Sequence, residues 1–251
     1  VVFVSEDGND RVQAFRLLPP LGPGEVAAAA TPEAEAPIAE FLWAAEGSPE
    51  LAFREPNHPV IGPDGNIWLP DGWNNRIAIF APDGTWLEDW GTEGSGDGEF
   101  LFENGGIGFG GVAFDAGGNI YVADSGNRRV QKFGPDRAFL SAWGSVGDGD
   151  GQFRQPVALA VDGQGLVYVS DRWGSIEVFD SDGRWLASWD GLGSPVGITV
   201  DLDELRPEIG GRRYGGHWGR PAKEGPRGPG SERLLTRGLN GGIDLRRRGR
   251  R

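Results

Sequence analysis

A pattern of about fourteen residues recurs along this chain of 251 residues and limits the folds that it can adopt. Each copy has an apolar run, an acidic turn with glycine or asparagine, and a second run that ends in phenylalanine. The copies are residues 2–15, 67–80, 120–133 and 167–179, the last being one residue shorter. A tryptophan follows each copy, and the repeat length is about 47 residues where nothing is inserted. A period of this size indicates one supersecondary unit stacked several times.

Each unit is predicted to form four β-strands. An apolar run that ends in aspartate, GVAFD at residues 111–115 and ALAVD at residues 158–162, is typical of a strand buried on both faces. The two runs of the pattern flank a tight turn and predict a hairpin, and a further turn leads to a short strand that ends at tryptophan. Because one such sheet cannot bury both faces alone, stacking around an axis predicts an all-β fold, a β-propeller of four-stranded blades.

The composition agrees with a protein of short strands and tight turns. The chain has 44 glycines and 18 prolines, which approaches low complexity, but its ten tryptophans and thirteen phenylalanines can fill a core. Cysteine is absent, which excludes a disulfide framework, a Cys-ligated zinc and a thiol nucleophile. No apolar run approaches the ~18 residues of a membrane-spanning helix, so we expect no membrane span.

One stretch carries a family resemblance. The sequence GGVAFDAGGNIYVADSGNRRVQKF at residues 110–133, followed by FLSAWGSVGDGDGQF at residues 139–153, resembles the NHL repeat. The resemblance extends from residue 1 to about residue 201, and it implies a β-propeller, usually six-bladed in that family. This chain departs from the repeat at Gly62, where other units have aspartate, and at Pro70, where they have a small residue.

The repeats predict two regions. Residues 1–204 are expected to form an incomplete propeller with an inserted loop at residues 18–37, and residues 205–251 form a basic tail. The repeat begins in the second strand of one blade and stops in the first strand of another. About four blades of an expected six are therefore represented, and we expect the remaining blades to lie outside this chain.

Charge divides the chain at the same place. Residues 205–251 contain 13 basic and 4 acidic residues, a net charge of +9, and the totals of 24 and 37 leave 11 and 33 for residues 1–204, a net charge of −22. The tail is rich in Arg, Gly and Pro and has no periodicity, which is typical of disorder. The alternative is a frameshifted blade, because residues 216–219 read one base later are compatible with the ADSGNRRVQK pattern.

The turns between second and third strands form the candidate ligand face. In a propeller these turns share one face with the crossovers between blades, and loops on a rigid scaffold are where binding usually resides. The candidate residues are Asp71, Trp73, Asn74, Arg76, Asp124, Asn127, Arg128, Arg129, Asp171, Arg172 and Trp173. Tryptophan and arginine dominate interface energetics, which favours a protein or peptide ligand, with carbohydrate also open. In the structural alternative, the aspartates cap turns, the arginines pair with neighbouring blades and the tryptophans pack between sheets.

Metal and catalytic chemistry have weaker signals. Asp148 and Asp150 in the GDGDG turn are weak candidates for calcium, because no bidentate glutamate follows them. Catalytic zinc commonly uses two or three histidines, and the chain has only His58 and His217. His58 is interpreted as a structural residue of an inner strand, with lining of a central channel as the other option. We assign no catalytic residue and no cofactor.

Three function classes follow from these observations. A non-catalytic binding or scaffold module for a protein, peptide or carbohydrate is favoured. A metal-dependent hydrolase or lyase of the lactonase-like, six-bladed type is the alternative, and it requires Asp, Glu or Asn side chains converging on the axis. RNA binding is the third class, and the acidic body disfavours a nucleic-acid partner.

Overall fold

A computed structural model of the chain describes residues 1–17, 39–103, 105–106 and 108–200, together with the backbone of three short strands nearer the C-terminus. The predicted inserted loop at residues 18–37 lies outside the described residues. All side chains of the predicted tail lie outside them as well, so the two-region division and the frameshift alternative stay predictions.

The described part of the chain is all-β, and four blades are arranged as a β-propeller, which confirms the predicted fold. Three blades are four-stranded antiparallel sheets, and the first has three strands. The first blade contains β1 (Val2–Glu6), β2 (Arg11–Leu17) and β3 (Ala39–Ala45), and the second contains β4 (Val60–Ile61), β5 (Ile67–Asp71), β6 (Arg76–Phe80) and β7 (Trp86–Trp90). The next crossover contains β8 (Thr92–Glu93) and β9 (Glu99–Phe100), and the third blade contains β10 (Gly110–Phe114), β11 (Ile120–Asp124), β12 (Arg129–Phe133) and β13 (Phe139–Trp143). The fourth blade contains β14 (Pro156–Val161), β15 (Val167–Asp171), β16 (Ser175–Phe179) and β17 (Trp185–Asp190), and the chain continues with β18 (Ile198–Val200), β19 (Pro207–Ile209), β20 (Thr236–Arg237) and β21 (Ile243–Asp244).

The only helical elements in the described residues are two short 3-10 turns, Asp7–Asn9 and Gly72–Asn74. They occupy the hairpin turns of the first two blades. Each is followed by a residue in the left-handed region, Asp10 and Asn75, both of a type that tolerates this conformation. Among the same described residues, no helix is long and apolar enough to cross a membrane.

Each junction between neighbouring blades is filled by the same three aromatic positions of the repeat. The sets are Trp43, Phe53 and Phe80; Trp90, Phe100 and Phe133; and Trp143, Phe153 and Phe179. The six phenylalanines are at most 1% exposed, and burying such side chains contributes on the order of 2 kcal/mol each. The recurring aromatics of the sequence therefore hold the blades to one another.

The inner strand of the second blade is much shorter than its equivalents. β4 has two residues, whereas β10 has five and β14 has six. The regular pairing of β4 with β5 covers Ile61 opposite Ile67 and Val60 opposite Trp68, and beyond it the N–H of Asn57 donates to the carbonyl of Pro70 at 2.8 Å. Pro70 lies just beyond, and because proline has no N–H it cannot donate to a neighbouring strand. The chain at His58 instead turns through a positive φ of 26°.

Candidate ligand-binding face

One buried aspartate in each four-stranded blade ties the hairpin turn to the crossover that enters that blade. Asp71 accepts the backbone N–H of Arg54 at 2.8 Å, and Asp124 accepts that of Leu101 at 2.8 Å. Asp171 accepts the N–H of Arg154 at 2.6 Å. These three aspartates are at most 3% exposed. Their oxygens are therefore occupied by the fold.

Two of the predicted arginines are bound by the same aspartates. The strand register places Arg76 opposite Asp71 and Arg129 opposite Asp124, and the Nε–Oδ2 distances are 2.9 and 2.7 Å. Burial raises the pKa of Asp71 and of Asp124, and their hydrogen bonds and arginine partners oppose that shift. Removing either member of such a pair would leave an uncompensated buried charge, so these pairs are structural.

The two predicted asparagines complete these networks. Asn74 Nδ2 donates to Asp71 and to the carbonyl of Ala52, both at 2.8 Å. Asn127 Nδ2 donates to Asp124 and to the carbonyl of Gly94 at 2.8 Å. Seven candidates are hydrogen-bonded within their own blade and the crossover that enters it: Asp71, Asn74, Arg76, Asp124, Asn127, Arg129 and Asp171. They join turn and crossover on one face. The two arginines thus differ from the structural alternative, in which they pair with neighbouring blades.

An arginine–tryptophan pair recurs on this face in two blades. The guanidinium of Arg54 lies 5.2 Å from the ring of Trp73 in the second blade, and that of Arg154 lies 5.9 Å from the ring of Trp173 in the fourth. Both distances allow cation–π attraction. Trp73 is half-buried, whereas Trp173 is 68% exposed. Neither tryptophan is buried between sheets.

The exposed pair borders a cavity of about 420 Å³ between the third and fourth blades. The residues that line it are Gly105, Arg128, Val146, Arg154, Gln155, Arg172 and Trp173. Three members, Arg128, Arg172 and Trp173, come from the predicted set. We call this space the loop-face cavity; its volume lies in the usual range of small-ligand sites.

Sequence reasoning missed four lining residues, and the two polar ones are Arg154 and Gln155. Both lie in the crossover before β14, and the available signal was the repeated motif FREP at residues 53–56 and FRQP at residues 153–156. Gln155 is 3% exposed, and among the described residues its Nε2 has no hydrogen-bond partner. Arg154 donates to the exposed carboxylate of Asp148 at 2.7 Å.

A second cavity of about 530 Å³ lies on the propeller axis. Residues from the inner strands β4, β10, β14 and β18 line it, together with β1 and His58. Burial lowers the pKa of His58, opposed by a hydrogen bond to the backbone of Gly110, so the imidazole is neutral at pH 7. His58 is the only titratable side chain among the described residues that line this cavity.

The described residues contain no group of three or more His, Cys, Asp or Glu side chains that could hold a metal ion. Of the two weak calcium candidates, Asp148 pairs with Arg154, while Asp150 lies two residues further along the same exposed turn.

Comparisons with known proteins identify the repeat. The class defined by the fold is the β-propeller, and a family model of the NHL repeat matches residues 110–133, from β10 through β12. The resemblance found in the sequence is thereby confirmed at these residues. NHL repeat-containing protein 3 of Mus musculus is 34% identical over 98 residues, which are 34% of this chain and 28% of that protein.

Two solved structures share the propeller fold. Virginiamycin B lyase from Staphylococcus aureus matches 82% of this chain and 58% of its own, with a TM-score of 0.52 and 11% identity. A gluconolactonase from Xanthomonas campestris matches 68% of this chain and 58% of its own, with a TM-score of 0.50 and 23% identity. The chain thus spans just over half of these two proteins and about a quarter of the mouse relative.

Proposed function

We propose that this chain is a non-catalytic binding module that holds a protein, peptide or carbohydrate ligand in its loop-face cavity. The observation that carries the proposal is the convergence of three arginines and an exposed tryptophan on one concave space. Arginine and tryptophan are the residues that most often dominate the energetics of protein interfaces.

The surrounding networks support this role by making the face rigid. Asp124 and Asp171 hold the turns that carry Arg128, Arg172 and Trp173 against the preceding crossovers. A ligand then binds with little loss of loop freedom, which favours affinity. These buried carboxylates thereby fix the positions of the half-buried Arg128 and Arg172.

The two other function classes have different requirements. A lactonase-like hydrolase requires acidic or amide side chains at the axis, and the described lining of the axial cavity offers apolar residues, Ser5, Thr199 and His58. RNA binding requires an extended basic face, whereas residues 1–204 carry a net charge of −22. The loop-face cavity favours the binding module over both.

The proposal is tested by screening the immobilised chain against a random peptide display library and a glycan array. We expect saturable binders from at least one class, and we expect Trp173→Ala to weaken them by about tenfold or more. Trp73→Ala is the matched control, because it removes the equivalent tryptophan two blades away, and it should leave affinity unchanged. Thermal unfolding checks that both variants are folded.

Calorimetry with Ca²⁺ and Zn²⁺ separates the hydrolase class. Tight binding of either ion, with no peptide or glycan binder, would overturn the proposal in favour of the metal-dependent alternative. Binders that respond equally to the two tryptophan variants would place the ligand elsewhere on the propeller.

A further inference from the structure

Resting on the proposed function, we infer that the loop-face cavity recognises a single peptide carboxylate next to an apolar residue. Either an Asp or Glu side chain or a free C-terminus supplies this chemistry.

The polar side chains that line the cavity are donors. Arg128 donates to the turn carbonyl of Gly126, and Arg172 lies over the ring of Phe109 at 5.3 Å. Arg154 lies over Trp173 and pairs with Asp148 at 2.7 Å, an exposed carboxylate outside the lining, which offsets part of the charge of this arginine. Arg172 forms no ion pair with any carboxylate in the described part of the chain. Gln155 adds a buried amide donor without a partner there. Guanidinium groups match the two oxygens of a carboxylate, so an anionic ligand fits this lining.

The repeat itself supplies a comparison. Arg54 and Trp73 are equivalent to Arg154 and Trp173, but the equivalent of Gln155 is Glu55 and the equivalent of Arg172 is Gly72. Glu55 accepts the backbone N–H of Gly108 at 2.9 Å, so it is held on the same face.

The equivalent place between the first and second blades therefore combines its one arginine with the carboxylate of Glu55, and Asp10 stands where the third blade has Arg128. Asp10 accepts the backbone N–H of Glu55 at 2.8 Å, which places a second carboxylate there. Of these two equivalent places, only the loop-face cavity has an excess of positive charge, and it is the one that has Gln155 instead of a glutamate. The Arg–Trp pair is common to both blades, and the anion preference is particular to one of them.

The rest of the chain limits how much charge the ligand carries. Residues 1–204 have a net charge of −22, which repels polyanions such as nucleic acid or a sulfated glycan. Two exposed apolar side chains at the cavity, Trp173 at 68% and Val146 at 72%, offer a surface for an apolar neighbour of the carboxylate. A peptide with an isolated acidic group beside an apolar residue meets both conditions.

The test uses peptide pools with one fixed position. Each pool is an acetylated and amidated pentapeptide mixture in which the central residue is Glu, Asp, Gln, Asn or Leu and the others are randomised. A further pair has leucine at the last position with a free or an amidated C-terminus. Fluorescence anisotropy of the labelled pools on the full chain should show Glu, Asp or free C-terminal pools binding at least about tenfold more tightly than their uncharged counterparts.

Gln155→Glu is the decisive variant. It inserts at residue 155 the carboxylate that the second blade carries at Glu55, and it should abolish the preference for the acidic pools by like-charge repulsion. Thermal unfolding checks that the variant is folded, since Gln155 is 3% exposed. Gln164→Glu is the matched control, since it makes the same change of net charge at an exposed turn position and should leave the preference intact.

Arg172→Gln gives an independent check, because it removes one cation and should lower affinity for acidic pools without changing that for neutral ones. Acidic and neutral pools that bind equally would overturn the carboxylate assignment and leave the binding module standing. Binding of no pool, with oligogalacturonate bound instead, would overturn the peptide assignment. Binding of no probe at all would contradict both this inference and the proposed function.

Discussion

Glu177 shows how one residue can depart from its repeat at a cost. It lies on β16 at the position of Gln131 on β12. Gln131 accepts the N–H of Gly98 at 3.0 Å and donates to the carbonyl of Glu99 at 2.8 Å. Glu177 accepts from Trp185 Nε1 at 2.8 Å but, when ionised, has no proton to donate. Burial raises the pKa of the Glu177 carboxyl, so its charged form is disfavoured in the folded chain.

Glu177→Gln should therefore stabilise the chain at neutral pH. A carboxyl whose pKa is raised on folding binds more protons in the folded state, so its contribution to stability decreases as pH rises from the unfolded pKa through the folded one. Urea unfolding at pH 7 and pH 4 measures the effect. We expect a higher midpoint for the variant at pH 7 and a smaller difference at pH 4, where Glu177 is protonated. A variant that is equally or less stable at pH 7 would contradict this account.

The second blade has a smaller residue at Gly62 and a larger one at Trp68 than the third and fourth blades have at the equivalent positions. In the third and fourth blades Tyr121 and Tyr168 donate to Asp115 and Asp162, each at 3.0 Å. In the second blade the equivalent positions are Gly62 and Trp68, and a Cβ at residue 62 would lie 2.6 Å from Trp68 Nε1. The glycine that departs from the sequence repeat is thus required by the larger indole.

Gly62→Asp alone should lower the free energy of unfolding by about 1–3 kcal/mol through overpacking. Combined with Trp68→Tyr, the same substitution should cost less, because the tyrosine hydroxyl and the new carboxylate can form the bond seen in the other blades. A double-mutant cycle by chemical unfolding measures the coupling. Purely additive effects on the free energy of unfolding would show that the two positions are not coupled.

At the scale of the element, the turns before the outer strands β7, β13 and β17 each contact a tryptophan of the preceding blade. A Cβ at Gly183 would lie 2.5 Å from the ring of Trp143, and Gly183 has a φ of +81°. Gly84 has the same relation to Trp43. In the third blade the position is Arg137, with a φ of 65°, and its guanidinium lies 5.7 Å from the ring of Trp90 and pairs with Glu88 at 2.5 Å.

Gly183→Ala should destabilise the chain by about 1–3 kcal/mol, since it combines a left-handed backbone with a clash against the indole. Gly163→Ala is the control, because a Cβ there meets nothing within 4 Å and the residue lacks a positive φ. Thermal unfolding of both variants is the measurement. Equal losses at the two sites would mean that the contact between turn and tryptophan is not what stabilises this junction.

The elements could largely be predicted from the sequence, because strands, turns and blade aromatics all recur with one period. The shortening of β4 could not, since it depends on which strand faces the missing N–H of Pro70. Within the candidate site, Arg128, Arg172 and Trp173 were found from their turns. Arg154 and Gln155 were missed because they lie on the crossover before β14. The distance between that crossover and the turns depends on how neighbouring blades pack, which the repeat does not reveal. The burial of Asp71, Asp124 and Asp171 could not be predicted either, because the sequence pattern of a turn is the same whether its aspartate is solvated or buried.

At the scale of the whole molecule, the net charge of residues 1–204 repels anions, whereas the arginines of the loop-face cavity favour them. The propeller region is strongly acidic, but three arginines meet at one concave place on the loop face. Long-range repulsion is screened over ~8 Å at physiological salt, so a small anionic group can reach the cavity although a polyanion is repelled. Under the proposed function, these two properties together would make the loop-face cavity selective for a single carboxylate.

Fluorine NMR of the full chain labelled with 5-fluorotryptophan tests the central claim most directly. Trp173→Phe and Trp73→Phe assign the two resonances, and the Glu-centred peptide pool is the titrant. The account predicts a saturable shift of the Trp173 resonance and none of the Trp73 resonance. A pool that binds while Trp173 stays unchanged would contradict the claim that the loop-face cavity is the binding site.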